Sequence, residues 1–360
     1  MYSREILASR GTPIENGLPV PGTWKEAFEE VDLLEIQRPF AFPLPRGLRD
    51  LRVKEWETFA LQDDHIYLEA FLANIKYYRV AQVILYDKDS GERLRFNKVM
   101  PFGGWHLPRS LWNSSVYSSS YGFLFRIHSW LDAGTVKIDL DIEATRKRPS
   151  FTAHLEYRLN SLKIPSVAVN LPFSDRRCMY AYKAFAAVQG DMVFGGRYIS
   201  LDPAKTQGTF RDYKGYFPYR MHSTWCNAFT GGDSFREQGT RDAEKVRFGF
   251  SIAENQTKET FKNNENVLWQ EGGRMTPLPP VRITMPDGIE KEWVIQDVEG
   301  MVDLTFTPQE HLRSAFNLFL TRWEYDTPLG FYNGMLVNSD GEQIPVRNLW
   351  GLGEKLYLRV

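Results

Sequence analysis

The residues best suited to chemistry lie between Phe210 and Gly232, in the run FRDYKGYFPYRMHSTWCNAFTGG. This stretch holds a carboxylate at Asp212, phenols at Tyr216 and Tyr219, an imidazole at His222, an indole at Trp225 and an amide at Asn227. Carboxylate, phenol and imidazole together could pass protons to and from a substrate. Rings beside them supply the apolar walls that a small-molecule pocket combines with a few polar groups. Asp212, Tyr219 and His222 are therefore the candidate catalytic residues, with Trp225, Tyr216 and Asn227 as ligand contacts. The competing reading is structural: Asp212 caps a turn, and the Tyr and Trp are core residues with one satisfied polar atom. If the segment is a strand, Tyr219, Met221, Ser223 and Trp225 share one face and His222 points the other way.

Two further places add candidates. Trp105 and His106 follow Gly103-Gly104, a setting that could present an imidazole at a cavity mouth, against the plainer reading of an exposed loop histidine. Glu324 and Asp326 lie on one face if their segment is extended, so one could raise the pKa of the other, although such pairs are more often solvated strand ends. His106, Trp105 and Glu324 thus join the ligand-contact candidates. The six His are scattered, with no H-E-x-x-H and no paired Cys beside them, so no metal site is expected. Cys178 and Cys226 lack C-x-x-C spacing and are expected to be reduced. The G-x-S-x-G elbow, the P-loop and the strand-borne G-x-G-x-x-G fingerprint are all missing, so no cofactor is expected either.

The elements that must position these residues read as strands. Val136, Ile138, Leu140 and Ile142 alternate with Lys137, Asp139 and Asp141, the period of a strand with one face buried and one wet. Similar alternation recurs at Val246–Ile252 and, less cleanly, at Ile66–Ala73, Phe123–Trp130 and Phe151–Leu159. Between such runs stand turn clusters at Asp87–Gly91, Gly272-Gly273, Asp287-Gly288, Glu299-Gly300 and Asp340-Gly341. The pattern predicts an all-β chain of antiparallel strands in two barrel-like lobes, with little helix. One short helix is predicted at Thr23–Leu34, where Thr23 and Glu26 form a capping box. The expected organisation is a Pro-rich N-terminal segment over 1–47, one lobe over 48–165 and a second over 166–360, the join lying where Pro165 and Pro172 bracket a short stretch.

Composition narrows the function classes. Lys+Arg 44 against Asp+Glu 45 leaves a net charge of -1, which gives no general field to draw nucleic acid. No run approaches the roughly 18 apolar residues of a membrane-spanning helix. The first residues, MYSREILASRGTPIENG, carry charges where a signal peptide has its apolar core, so a cytoplasmic location is expected.

Several short motifs occur in a telling order. They are Arg52-Val53-Lys54-Glu55-Trp56, Met179–Lys183, the D-Y…G-Y-x-P-Y-R block from Asp212 to Arg220, Leu278–Val281, Val302–Pro308, Gly330–Gly334 and Gly341-Glu342. In these the chain, from about Leu48 onward, resembles a bacterial family known as domain of unknown function 2804. That family is similar to tandem lipocalin-like proteins, among them carotenoid hydratases, whose pockets hold elongated apolar substrates. The resemblance implies two lipocalin-like lobes that bind a ligand, and it does not imply a reaction. Two classes stay open. One is a cofactor-free enzyme acting by hydration, isomerisation, cyclisation or elimination, or on glycosides through a carboxylate pair. The other is a carrier that holds a lipid, pigment or sugar and transforms nothing.

Overall fold

The computed structural model describes residues 1–8, 11–101, 105–231, 247–318 and 321–359. Strands β1 (Ile14–Glu15) and β2 (Leu18–Pro19) form a small ribbon. A first large sheet takes β3 (Gly22–Trp24), β4 (Lys54–Gln62), β5 (Ile66–Asn74), β6 (Tyr78–Asp87), β7 (Arg93–Pro101), β8 (Ser114–Ser120), β9 (Phe123–Trp130), β10 (Thr135–Ile142), β11 (Phe151–Arg158), β12 (Val167–Ser174), β13 (Arg177–Phe194), β14 (Arg197–Leu201) and β15 (Gln207–Gly215). A second takes β16 (Arg220–Phe229), β17 (Phe248–Glu254), β18 (Val267–Gln270), β19 (Arg274–Pro277), β20 (Arg282–Thr284), β21 (Trp293–Gln296), β22 (Val302–Leu318), β23 (Thr321–Val337) and β24 (Gln343–Arg359). Among the described residues, helix is confined to α1 (Arg46–Asp50) and two 3₁₀ turns at Leu33–Glu35 and Leu131–Ala133.

The path through the first sheet is β7-β6-β5-β4-β15-β13-β11-β10-β9-β8, with β12 and β14 also paired on β13, and β3 on β12. It curls into a nearly closed barrel, while the second sheet, β19-β18-β17-β16-β24-β23-β22-β21-β20, is a half-barrel. The fold is thus all-β in two lobes. The five turn clusters read from the sequence all connect hairpins, and their glycines hold positive φ. Strand β13 is long enough to serve two neighbours on one edge, pairing with β12 over Arg177–Lys183 and with β11 over Ala187–Phe194, the second stretch taking in Gly190. Gly190 has φ 140, and a Cβ there would stand 1.9 Å from the His154 carbonyl oxygen, so only glycine fits.

Two expectations need correction. The capping box predicts a helix at Thr23–Leu34, but Thr23 and Trp24 extend as β3 and pair with Val169 and Ala168. Burial of Trp24 against Phe28, ring centroids 4.8 Å apart, outweighs the local helix signal. The chain also passes from one sheet to the other between Gly215 and Arg220, whereas the Pro165–Pro172 stretch leads into β12, a strand of the first sheet. Of the run Val246–Ile252, Val246 lies outside the described residues and the strand is seen from Phe248.

Three apolar cores result. One fills the barrel around Phe59, Phe125, Leu140 and Phe210. A second lies on the far face of the second sheet around Trp293, Phe306 and Tyr332. The third lies between the sheets, where Trp56 and Phe185 of the first meet Trp225 and Leu356 of the second. Strands β4, β5 and β15 are therefore covered on both faces.

Candidate functional site

Alternation along β15 divides its charged residues between two compartments. Phe210 and Asp212 turn into the barrel, and Arg211 and Tyr213 turn toward the second sheet. The space that Arg211 enters is a cleft lined also by Trp56, Phe71, Trp225, Trp323 and Tyr325, with Glu354 at its floor. As the rings stand, it leaves only about 10 Å³ in which a water molecule could sit. Ring planes fit that shape: Trp56 stacks on Tyr213 with centroids 5.2 Å apart, and Phe71 stacks on Tyr325 at 6.1 Å.

A chain of buried polar contacts runs through the cleft. Arg211 Nη1 meets Glu354 Oε2 at 2.5 Å, and its Nη2 meets Glu69 Oε2 at 3.4 Å. Asn227 Nδ2 donates to the same Glu354 oxygen at 2.7 Å, and the Tyr325 hydroxyl donates to the other oxygen. Asn227 Oδ1 accepts from Ser251 Oγ at 2.7 Å, and Ser251 accepts from Lys183 Nζ at 2.8 Å. Lys183 in turn pairs with Glu265 at 2.8 Å, and Glu265 accepts from the Tyr213 hydroxyl at 2.8 Å and from Trp225 Nε1 at 3.3 Å.

Charge balance singles out Glu69. Three carboxyls, Glu69, Glu265 and Glu354, share two cations, Arg211 and Lys183. Arg4 adds a further buried cation near Glu265, so the carboxyl with the weakest hold on a cation is Glu69, 3.4 Å from Arg211. Burial first, and then the Glu354 carboxylate, push the Glu69 carboxyl up to about 8, against the opposing pull of Arg211. Behind Arg211, the Glu69 carboxyl is thus held protonated to higher pH than usual, beside Glu354, which lines the cleft and which three donors face.

Asp212 belongs to a different cluster, inside the barrel. It faces Glu57 directly across the β4–β15 ladder, and its Oδ2 meets Lys214 Nζ at 2.6 Å. Burial and the neighbouring Asp212 push Glu57 up to about 8, and burial raises Asp212 as well. Glu57 Oε2 and Asp212 Oδ1 have no hydrogen-bond partner, so two carboxyls share one lysine in an apolar interior.

The remaining sequence candidates disperse. Trp225 and Asn227 enter the cleft. His222 is exposed on the opposite face of β16, its ring 4.8 Å from Tyr357, and Tyr219 is half exposed before the strand begins. Tyr216 is buried in the barrel core, 5.8 Å from Phe40. Trp105 is buried under the Arg79 guanidinium and His106 is exposed, while Gly103, Gly104 and Gly232 lie outside the described residues. Glu324 faces away from the cleft and accepts from Arg322 Nε at 2.7 Å. Glu69, Glu265 and Glu354 belong to no motif, and Lys183 and Arg211 stand inside quoted stretches without being singled out, yet Glu69 interrupts the apolar run IYLEAFLA and Glu354 the largely apolar LGEKLYL. A charge inside an apolar strand is the signal that finds them. Among the described residues no group of three or more His, Cys, Asp or Glu stands where it could hold a metal, and no helix is long and apolar enough to cross a membrane.

The family described as Domain of unknown function (DUF2804) has a model that matches residues 3–359, and the chain belongs to that family. The match begins well before Leu48 and takes in the N-terminal segment. No curated protein matches the chain in sequence. Among solved structures, kievitone hydratase from Nectria haematococca is similar, with 13% identity, 84% of this chain and 88% of that chain covered, and a TM-score of 0.47.

Proposed function

We propose that the cleft between the sheets binds a small ring-bearing molecule and transforms it by cofactor-independent proton transfer. The observation that carries this reading is the pair Glu69 and Glu354 on one guanidinium, one carboxyl pushed up to about 8 and the other met by three donors, in a space walled by aromatic rings. Such pairs are costly to bury and weak as evidence of stability, so a functional use explains them better than a structural one. Glu69 serves as the acid, Glu354 as the base, and Arg211 offsets negative charge that develops between them.

Addition of water to a double bond illustrates the balance. Glu69 gives its proton to one carbon, a water oxygen bonds to the other, and Glu354 takes the proton that the water sheds. Elimination is the same sequence reversed. The two carboxyls end in exchanged states and reset through solvent, with no electron gained or lost. Size also argues against a bulky cargo, because the stacked rings leave about 10 Å³ of open space and a ligand must part them to enter.

The test uses the indoles of Trp56, Trp225 and Trp323 as reporters. Titration with a panel of phenols, unsaturated carbonyl compounds and sugars should give saturable fluorescence quenching by some members and none in Arg211→Met. Compounds that bind are then incubated in H₂¹⁸O, and mass spectrometry reads incorporation of label. Quenching without conversion assigns a carrier, and quenching that survives in Arg211→Met moves the site out of the cleft.

A further inference from the structure

A second site stands on the surface, away from the cleft's rings and carboxyls. An open groove of about 630 Å³ runs between residues 38–42, the tip of the β12–β13 hairpin and Lys258 in the segment after β17. Its rim carries Arg38, Arg176, Arg177 and Lys258 against one carboxylate, Asp175. That is a local excess of three positive charges on a chain whose net charge is -1, so the groove is a distinct feature of the field and not a sample of the average surface. Asp175 does little to cancel it, since its side chain is 97% exposed and stands 3.9 Å from Lys258. Among the described residues no ion pair engages Arg38, Arg176 or Arg177.

The backbone that carries two of these cations is fixed. Lys258 N donates to the Pro172 carbonyl at 2.9 Å, which ties the second lobe's segment to the end of β12. Arg38 adopts φ 50, a left-handed backbone that a side-chain-bearing residue seldom keeps without cause. Beyond it the floor is apolar: Phe40 packs edge-on to Tyr216 at 5.8 Å and lies under the Arg52 guanidinium at 5.7 Å, while Phe42 stays 61% exposed. Guanidinium forks match the oxygens of a phosphate in pairs, and exposed rings offer a face for an organic body.

We infer that this groove binds a soluble organic phosphate monoester, its phosphate between Arg38, Arg176 and Arg177 and its apolar part over Phe40 and Phe42. Calorimetric titration with phenyl phosphate at about 0.15 M salt, where long-range screening is strong, should show saturable binding at one site per chain. Phenol should not bind, and inorganic phosphate should bind at least tenfold more weakly than the ester. Arg38→Gln and Arg176→Gln should each weaken phenyl phosphate at least tenfold with the melting temperature unchanged, because both side chains are exposed. Should either variant fold poorly, Lys258→Gln, on a separate segment, reads the same loss. Heat indistinguishable from that of sodium chloride at matched ionic strength would overturn the site, as would binding that survives in all three variants. Co-sedimentation with phosphatidylglycerol vesicles in place of ester binding would overturn the soluble ligand in favour of a lipid headgroup.

Discussion

Arg211 and Asp212 are consecutive residues whose charged ends lie in separate compartments. Arg211 meets Glu354 at 2.5 Å in the cleft between the sheets, and Asp212 meets Lys214 at 2.6 Å inside the barrel. The wall between them is one strand thick. It exists because β15 is buried on both faces, so each step along the backbone changes the solvent-free space that a side chain enters.

Thermodynamic coupling should follow compartments and not sequence. Arg211→Met leaves Glu354 without its cation and should cost about 3–5 kcal/mol in urea unfolding, whereas Asp212→Asn leaves Lys214 the neighbouring Glu57 and should cost less. The double variant Arg211→Met/Asp212→Asn should be additive within about 0.5 kcal/mol, whereas Arg211→Met/Glu354→Leu should show coupling of roughly 1–3 kcal/mol. Coupling of equal size in both cycles would mean that the two clusters are one.

Stability should fall as pH rises from about 5 to about 7, below the range in which the depressed Lys54 and Lys88 act in the opposite sense. Glu57 and Glu69 are pushed up to about 8 in the folded chain, while an unfolded glutamate titrates near about 4.3. Between those values the native state keeps protons on these two groups that the unfolded state has released, so their contribution to the unfolding free energy declines with pH and levels off above the folded values. The contribution of each group is on the order of a few kcal/mol. Glu69→Gln imitates the neutral form. It should match the wild type at about pH 5, exceed it at about pH 9 and show a shallower slope between. Equal slopes would remove the neutral Glu69 from the account.

The fold was legible where one face of a strand is wet. In β10, Val136, Ile138 and Leu140 are buried while Lys137 and Asp141 are exposed, which is the alternation the sequence displays. The signal fades in β5, where Tyr67, Glu69 and Phe71 face the second sheet and Leu68, Ala70 and Leu72 face the barrel, so every position is buried. The same burial hides the cleft. Density of titratable groups draws attention to Asp212 and His222, but the pairing of Glu69 with Glu354 depends on two strands far apart in the chain, and no local spacing records it. Trp225 and Asn227 were within reach because both sit on the inward face of β16.

Both thiols should be inert until the chain unfolds. Burial pushes Cys178 and Cys226 up to about 12, so little thiolate exists at neutral pH and neither sulfur is accessible. A thiol-reactive dye should label the native chain only at the rate of unfolding and label both residues promptly in denaturant. Rapid reaction of one equivalent under native conditions would place a cysteine at the surface.

The residues of β16 offer the sharpest separation of site from scaffold. His222 is exposed and contacts Tyr357, so His222→Gln should change stability by less than about 0.5 kcal/mol and leave ligand-induced quenching intact. Trp225 is buried at the cleft wall and donates to Glu265, so Trp225→Ala should cost about 3–5 kcal/mol and abolish binding together with stability. That variant alone is ambiguous, and Trp225→Phe resolves it. Phenylalanine keeps a ring against the ligand but drops the bond to Glu265, so stability should fall by about 1–3 kcal/mol while folded molecules still bind. A Trp225→Phe chain as stable as the wild type yet unable to bind would make the indole nitrogen a direct ligand contact. A chain that binds normally in both variants, per folded molecule, would show that Trp225 is scaffold and not a ligand contact.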